Sequence, residues 1–239
     1  MRVLITGGSR GIGAACVRAF CKRGDRVAFF YRTADRETVE RLEHETGAKG
    51  ILADVSNSSA VALAVEQARA WLGGGIQVLV NNAGISQIKL FTDLTDEDWR
   101  RMMATDLDGV FYVTRAVTAD MVREQYGRIV NIGSMWGKSG ASCEVHYSAA
   151  KAGVRGMTMA LAKELGPSHI TVNCVEPGVI DTEMNGLLDA KTKEILCNET
   201  PLCRMGTPEE VANAVLFFAS DSAEFITGQI LGVDGGYAI

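Results

Sequence analysis

Val3-Leu4-Ile5-Thr6-Gly7-Gly8-Ser9-Arg10-Gly11-Ile12-Gly13 leads from a short β-branched run, through a glycine-rich turn, into the apolar segment Ala14 to Phe20. Strand, turn and helix in that order make the opening unit of a sheet that binds a dinucleotide. Glycines at 7, 11 and 13 let backbone N–H groups approach a pyrophosphate at the start of the helix. The spacing G-x-x-x-G-x-G differs from G-x-G-x-x-G, and an isolated glycine turn also serves simply to close a tight βα loop. Its position on the first strand, with further motifs behind it, favours the dinucleotide.

Six further short apolar runs follow, at Val27 to Tyr31, Gly50 to Ala53, Gln77 to Asn81, Arg128 to Ile132, Thr171 to Val175 and Gln229 to Val233, with segments of helical period between them. Val61, Ala64, Val65, Ala68 and Leu72 form one such stripe, and Val211, Ala214, Val215 and Phe218 another. Strands alternating with helices predict a parallel sheet covered on both faces. The expected fold is one doubly wound, Rossmann-type α/β domain of about seven strands, filling residues 1–239. The stretch 178–205 breaks the rhythm and holds Met184, Leu187, Leu188 and Ile195; connections this long are usually functional, so one or two short helices forming a substrate lid are expected over 179–205. Gly73-Gly74-Gly75 reads as a helix terminator.

With 47% hydrophobic residues the chain can bury a large core. Apolar stretches such as Ala214 to Ala219 fall far short of the ~20 residues that span a bilayer. The apolar segment at the start is too short for a signal peptide, so a soluble, cytoplasmic protein with no membrane partner is expected. Six cysteines without a C-x-x-C pair, and three histidines that do not accompany them at ligand spacing, predict neither a disulfide framework nor a metal site. A net charge of −5 without a long basic run argues against nucleic acid and leaves small molecules or protein-tethered groups as partners.

Tyr147 and Lys151 carry the chemistry. Four residues apart, they share a helix face, where an ammonium favours ionisation of the phenol. A phenol titrates near ~10, and making it reactive near neutral pH needs a shift of roughly 3 units, or about 4 kcal/mol, within reach of one lysine plus a cationic nicotinamide. A bare Y-x-x-x-K is ordinarily helix surface; Ser134, thirteen residues upstream, and the glycine turn single this one out. Cofactor choice is read at the end of the second strand, Phe29-Phe30-Tyr31-Arg32, which has no carboxylate to hold an adenosine 2′-hydroxyl. Arg32 and Arg10 are placed to meet a 2′-phosphate, the alternative being two solvated charges, and NADP(H) is favoured.

Thr6 to Gly13, Asp54-Val55, Asn81-Asn82-Ala83-Gly84, Ser134 with Tyr147-x-x-x-Lys151, Pro177-Gly178 through Thr182, and Ile226-Thr227-Gly228-Gln229 leading to Asp234-Gly235-Gly236 together resemble the short-chain dehydrogenase/reductase family over nearly the full chain. The resemblance implies that the cofactor is held by Gly7, Ser9, Arg10, Gly11, Ile12, Gly13, Tyr31 and Arg32, with Asp54 at the adenine edge and Val55 beside it. Asn81, Asn82, Ala83 and Gly84 line it and hold the central strand; Val179 and Thr182 meet the nicotinamide carboxamide, Pro177 and Gly178 belong to the cofactor site, and Lys151 holds its ribose. It further implies that Ser134 polarises a ketone oxygen, that Tyr147 donates the proton, and that Asp106 acts in the proton relay mainly through its backbone carbonyl, where many relatives carry asparagine; an ionised Asp106 near Lys151 would stabilise the ammonium but oppose ionisation of Tyr147. A homotetramer built from the helices bearing Asp106 and Tyr147, plus C-terminal contacts, is implied as well.

The general features resemble the 3-oxoacyl-(acyl-carrier-protein) reductase branch, but Gln125 and Ser168 stand where those enzymes dock the carrier with basic residues; Arg123 and Arg128 are nearby substitutes or solvated charges. The segments Ser134 to Gly137 and Gly140 to Val145 are similar to those of bacterial elongation factor P 5-aminopentanone reductases. That likeness implies substrate contacts from Trp136, as an aromatic wall, and Glu144, as a carboxylate for a cationic amine; plain packing and a solvated helix cap are the competing readings. Glu176 has no assigned role. The leading expectation is an NADPH-dependent ketone reductase of the 3-oxoacyl-thioester type. Reduction of 5-aminopentanonyl-lysine on elongation factor P is an alternative, and a nonenzymatic NADP(H) sensor is an alternative of another class.

Overall fold

Alternate residues of the first strand, β1 (Arg2–Thr6), enter two different cores. Val3 and Ile5 join Val17, Phe20, Phe29 and Val215 on one side, whereas Leu4 joins Phe30, Leu79, Ile129 and Val172 on the other. A strand that is apolar on both faces has to be covered on both, and helices do this. In the computed structural model, which describes residues 1–33, 36–186 and 189–238, β1 is followed by α1 (Gly11–Lys22), β2 (Arg26–Tyr31), α2 (Arg36–Thr46), β3 (Lys49–Leu52), α3 (Ser58–Leu72) and β4 (Val78–Asn81). The second half contains α4 (Asp96–Met103), α5 (Gly109–Glu124), β5 (Gly127–Ile132), α6 (Trp136–Ser139), α7 (Val145–Leu165), β6 (Ile170–Pro177), α8 (Ala190–Glu199), α9 (Pro208–Phe218) and β7 (Ile230–Val233).

Among the described residues the seven strands form one parallel sheet in the order β3-β2-β1-β4-β5-β6-β7. Winding reverses between β1 and β4, so their carboxyl ends leave a crevice. The strands lie where the β-branched runs put them, with ends shifted by no more than two residues. The apolar stripe from Val61 to Leu72 is the buried face of α3. Asn57 starts that helix by accepting the N–H groups of Ser59 and Ala60, both at 3.0 Å, and Gly73 stops it at φ 76°.

Polar side chains tie the middle of the sheet to its helices. Asn81 Nδ2 donates to Asn131 Oδ1 on β5 and to Thr114 Oγ1 on α5, both at 2.9 Å, and Asn131 Nδ2 donates to Thr158 Oγ1 on α7 at 2.9 Å. All four residues are buried. This row fixes α7, which carries Tyr147 and Lys151, against β4 and β5.

Two places depart from simple alternation. α4 passes into α5 through a π-turn, Ala104–Asp108, so Asp106 sits on a local widening and not within one regular helix. Between β6 and α9 the expected short helices are a 3₁₀ turn at Glu183–Asn185 and α8; Leu187 and Leu188 lie outside the described residues. Among the described residues no helix is long and apolar enough to cross a membrane.

Candidate active site

The crevice between β1 and β4 opens into a cleft of about 410 Å³. Gly7, Ser9, Arg10, Gly11 and Ile12 line it from the glycine turn, Tyr31 and Arg32 from the end of β2, and Asp54 and Val55 from the segment after β3. Asn82, Ala83 and Gly84 close it behind β4, and Thr182 reaches it from beyond β6. The close approach of chains explains the glycines. Gly7 has φ 64°, and a Cβ there would lie 2.8 Å from Ala83 Cα; at Gly13 a Cβ would collide with the Gly7 carbonyl and the Asn82 amide. Asn82 Nδ2 braces the turn by donating to the carbonyls of Thr6 at 3.0 Å and Gly7 at 2.9 Å. No side chain caps the start of α1, so its first N–H groups, behind a turn with no room for a Cβ, suit a pyrophosphate.

The residues expected at the cofactor are spread over more than the cleft wall. The Asn81 side chain points into the core and holds β5 and α5; Asn82 is the residue of that pair that lines the cleft. Gly13 lies behind the turn, and Pro177 and Gly178 do not line the cleft: Gly178 packs on the Asp234 backbone. Val179 borders a separate cavity of about 450 Å³ with Thr200 and Asp234. Thr105 and Glu183 line the cleft without any signal in the sequence, brought there by the π-turn and the 3₁₀ turn.

At the adenosine end the two arginines differ. Arg32 Nη1 lies 3.7 Å from Asp54 Oδ2, whereas Arg10 is exposed and makes no side-chain hydrogen bond or ion pair among the described residues. Asp54 Oδ1 accepts from the Ser56 N–H at 2.9 Å and hydroxyl at 2.7 Å. Burial pushes the Asp54 carboxyl up, but those bonds and Arg32 outweigh it and hold it below the usual carboxylate value. Arg32 is therefore partly engaged by Asp54, and Arg10 is the arginine of the two without such a partner among the described residues.

The reactive groups adjoin this cleft: a Cβ on Gly84, one of its walls, would lie 3.5 Å from Lys151 Nζ. Ser134 follows β5, is buried, and accepts the Trp136 N–H on Oγ at 3.2 Å. Lys151 Nζ donates to the Ile132 carbonyl at 3.2 Å, lies 5.5 Å from the Tyr147 ring centroid, and pairs with Asp106 Oδ2 at 3.3 Å. Asp106 Oδ1 accepts the Ile85 N–H at 2.9 Å. The side chain of Asp106 thus engages Lys151 directly, beyond the backbone role that the family pattern implied.

These neighbours set the protonation states. Burial pushes the Tyr147 phenol up and Asp106 and Glu144 push it further, more than Lys151 and the Ser134 hydroxyl offset. The lowered phenol expected from Tyr147-x-x-x-Lys151 is therefore not what the protein alone provides; Tyr147 holds its proton. Burial opposes the Lys151 charge, but Asp106 and Tyr147 outweigh that and keep it an ammonium. A protonated phenol beside an ammonium is the arrangement of a proton donor whose conjugate base is stabilised in place.

Around this group, Trp136 stacks edge-on against Tyr237 with ring centroids 5.6 Å apart. Glu144 caps no N–H of α7 and has no side-chain partner among the described residues; burial raises its carboxyl. Glu176 pairs with Arg155, pinning the end of β6 to α7, and burial raises its carboxyl despite that partner. Arg128 is buried over the Tyr126 ring at 4.4 Å, which removes it as a surface docking residue; Arg123 stays exposed and pairs with Asp120 at 2.9 Å.

Comparison with known proteins agrees with this geometry. The family model described as enoyl-(acyl carrier protein) reductase matches residues 7–238. The chain is 41% identical over 239 residues to 3-oxoacyl-(acyl-carrier-protein) reductase FabG of Chlamydia muridarum, covering 98% of this chain and 96% of that one. It is 43% identical over 234 residues to acetoacetyl-CoA reductase of Rhizobium meliloti, at the same coverage of 98% and 96%. The crystal structure of 3-oxoacyl-(acyl-carrier protein) reductase from Brucella melitensis superposes with a TM-score of 0.92 at 34% identity, covering 99% of this chain and 91% of that one. Glycine turn, parallel sheet, Ser134, Tyr147 and Lys151 thus occur together in a chain that belongs to the short-chain dehydrogenase/reductase family.

Proposed function

We propose that the protein reduces the ketone of a 3-oxoacyl thioester to a hydroxyl group, with NADP(H) as cofactor. The observation that carries this reading is the grouping of Ser134, Tyr147 and the Lys151–Asp106 pair, with Lys151 and Asp106 packed directly behind Gly84, one wall of the cleft lined by the glycine turn. NADPH, when bound, supplies the hydride for the carbonyl carbon. The Ser134 hydroxyl donates to the carbonyl oxygen as negative charge grows there, and Tyr147 delivers its proton to the same oxygen. Lys151 stabilises the phenolate left behind and holds a ribose hydroxyl. The names of the two relatives, acting on 3-oxoacyl-carrier and acetoacetyl-CoA thioesters, support this substrate class. With Arg128 buried, the reading rests on the thioester ketone and not on carrier docking.

Glu144 favours a second reading, an aminoalkyl ketone such as 5-aminopentanonyl-lysine on elongation factor P. A half-buried carboxylate with no side-chain partner among the described residues, within electrostatic reach of Tyr147, suits a substrate ammonium. The segment 179–205 serves as the substrate lid, and the enzyme works in the cytoplasm as a homotetramer. Exposed Phe111 and Met159 on α5 and α7, and Phe225 near the C-terminus, support that assembly.

Tyr147→Phe should lower kcat with acetoacetyl-CoA roughly 10²–10⁴-fold while NADPH fluorescence titration shows retained binding; unchanged turnover would remove the catalytic assignment, and a pure NADP(H) sensor would show no turnover to lose. Arg10→Ala combined with Arg32→Ala should weaken NADPH binding roughly 10–100-fold more than NADH binding, whereas equal weakening rejects the phosphate contact. Glu144→Gln should impair turnover of modified elongation factor P and leave acetoacetyl-CoA reduction intact; if wild type ignores the aminoketone, the second reading falls. Sedimentation velocity should give a tetramer, and a monomer at micromolar concentration would contradict the assembly.

A further inference from the structure

We propose, resting on the reductase reading above, that Asp106 is a positioning residue that keeps Tyr147 in its proton-bearing form by partly neutralising Lys151, and so biases the enzyme toward ketone reduction over alcohol oxidation. The pair is dry: Asp106 is 0% and Lys151 4% exposed, and their 3.3 Å separation leaves no room for water between them. The carboxylate cannot swing away. Its Oδ1 is held by the Ile85 N–H at 2.9 Å, and a Cβ on Gly84 would come within 2.7 Å of Oδ2, so backbone closes the other side.

The charges facing each group give the direction. Asp106, on the π-turn, faces Lys151, His146 and Tyr147 of α7 and the N–H of Ile85 beyond β4; burial raises its carboxyl, and Lys151 with that N–H pulls the other way and favours the carboxylate. His146 is buried against Gln87 at 3.1 Å, and burial lowers it toward the neutral ring. Tyr147 faces Lys151, Asp106, the Ser134 hydroxyl and Glu144. Lys151 faces Asp106, Tyr147 and the Cys174 thiol of β6, so the ammonium is already paired with Asp106 before the phenol ionises, and a phenolate would be a second anion beside it. An asparagine at 106 would leave the ammonium to the phenolate. Reduction needs the phenol and oxidation of the alcohol needs the phenolate, so Asp106 extends reduction to higher pH and delays oxidation.

The test is Asp106→Asn, read in two ways. Tyrosinate absorbance of the cofactor-free protein is titrated with pH, and the same titration of a Tyr147→Phe partner is subtracted to isolate one of the five tyrosines. Tyr147 should ionise about one pH unit or more lower in Asp106→Asn than in wild type. The falling limb of acetoacetyl-CoA reduction and the rising limb of 3-hydroxybutyryl-CoA oxidation should move acidward by the same amount. A merely structural role would lower kcat at every pH and leave the limbs in place. Ionisation at the same or higher pH in Asp106→Asn overturns the proposal. Should that variant fail to fold, Asp106→Ser removes the same charge and is held to the same outcomes. The absorbance titration also stands if neither thioester is turned over, so failure of the substrate reading and failure of this one are distinguishable.

Discussion

The buried row Thr114–Asn81–Asn131–Thr158 is the constraint on which the site depends. Parallel strands hydrogen-bond evenly along their length, so nothing in the backbone ladder alone tells a covering helix how far to slide. A fully buried amide that has found its partners does, because shifting α7 by one residue would orphan Asn131 and Thr158 at about 1–3 kcal/mol each. That register holds Tyr147 and Lys151 level with the end of β5, where Ser134 emerges. Glu176 and Arg155 repeat the principle at the other end of the contact, fastening β6 to α7 one turn beyond Lys151.

The electrostatics of the site follow from the same packing. A lysine with most of its surface inside the protein keeps its charge only against a nearby anion, and Asp106 is that anion. The cost falls on the phenol, which burial and two carboxylates hold in its protonated state. The protein by itself is therefore set for donating a proton, and the positive charge of an oxidised nicotinamide works against that setting in the reverse direction.

Strands and helices were legible because β-branched runs and apolar stripes act over five to fifteen neighbouring residues, which local sequence records. The glycine turn was legible for a steric reason: Gly7 and Gly13 stand where no Cβ fits. Directions of single polar side chains were not. Asn81 and Asn82 are adjacent and chemically identical, yet the pleat sends one into the core and the other to the cleft. Arg128 reads as a surface cation until Tyr126 and the turn carbonyls cover it. The family motif named Asp106 and the opposition of its ionised form to Tyr147 ionisation, but not the π-turn that brings its carboxyl to within 3.3 Å of Lys151. Thr105 and Glu183 escaped for the same reason.

The crevice between β1 and β4 has one more consequence. Its walls come from residues as far apart as Gly7 and Glu183, and every crossover between parallel strands must close before they meet. Residues 1–55 supply the glycine turn, Arg32 and Asp54, but the walls at Ala83, Thr105 and Thr182 join only when later crossovers close, so a dinucleotide favours the finished sheet over its pieces. The nucleotide is then a folding ligand as much as a reagent: at a hundred times its Kd it adds about 2.7 kcal/mol to the whole molecule by mass action. The lifetime of the protein in a cell is thereby tied to the size of its nucleotide pool.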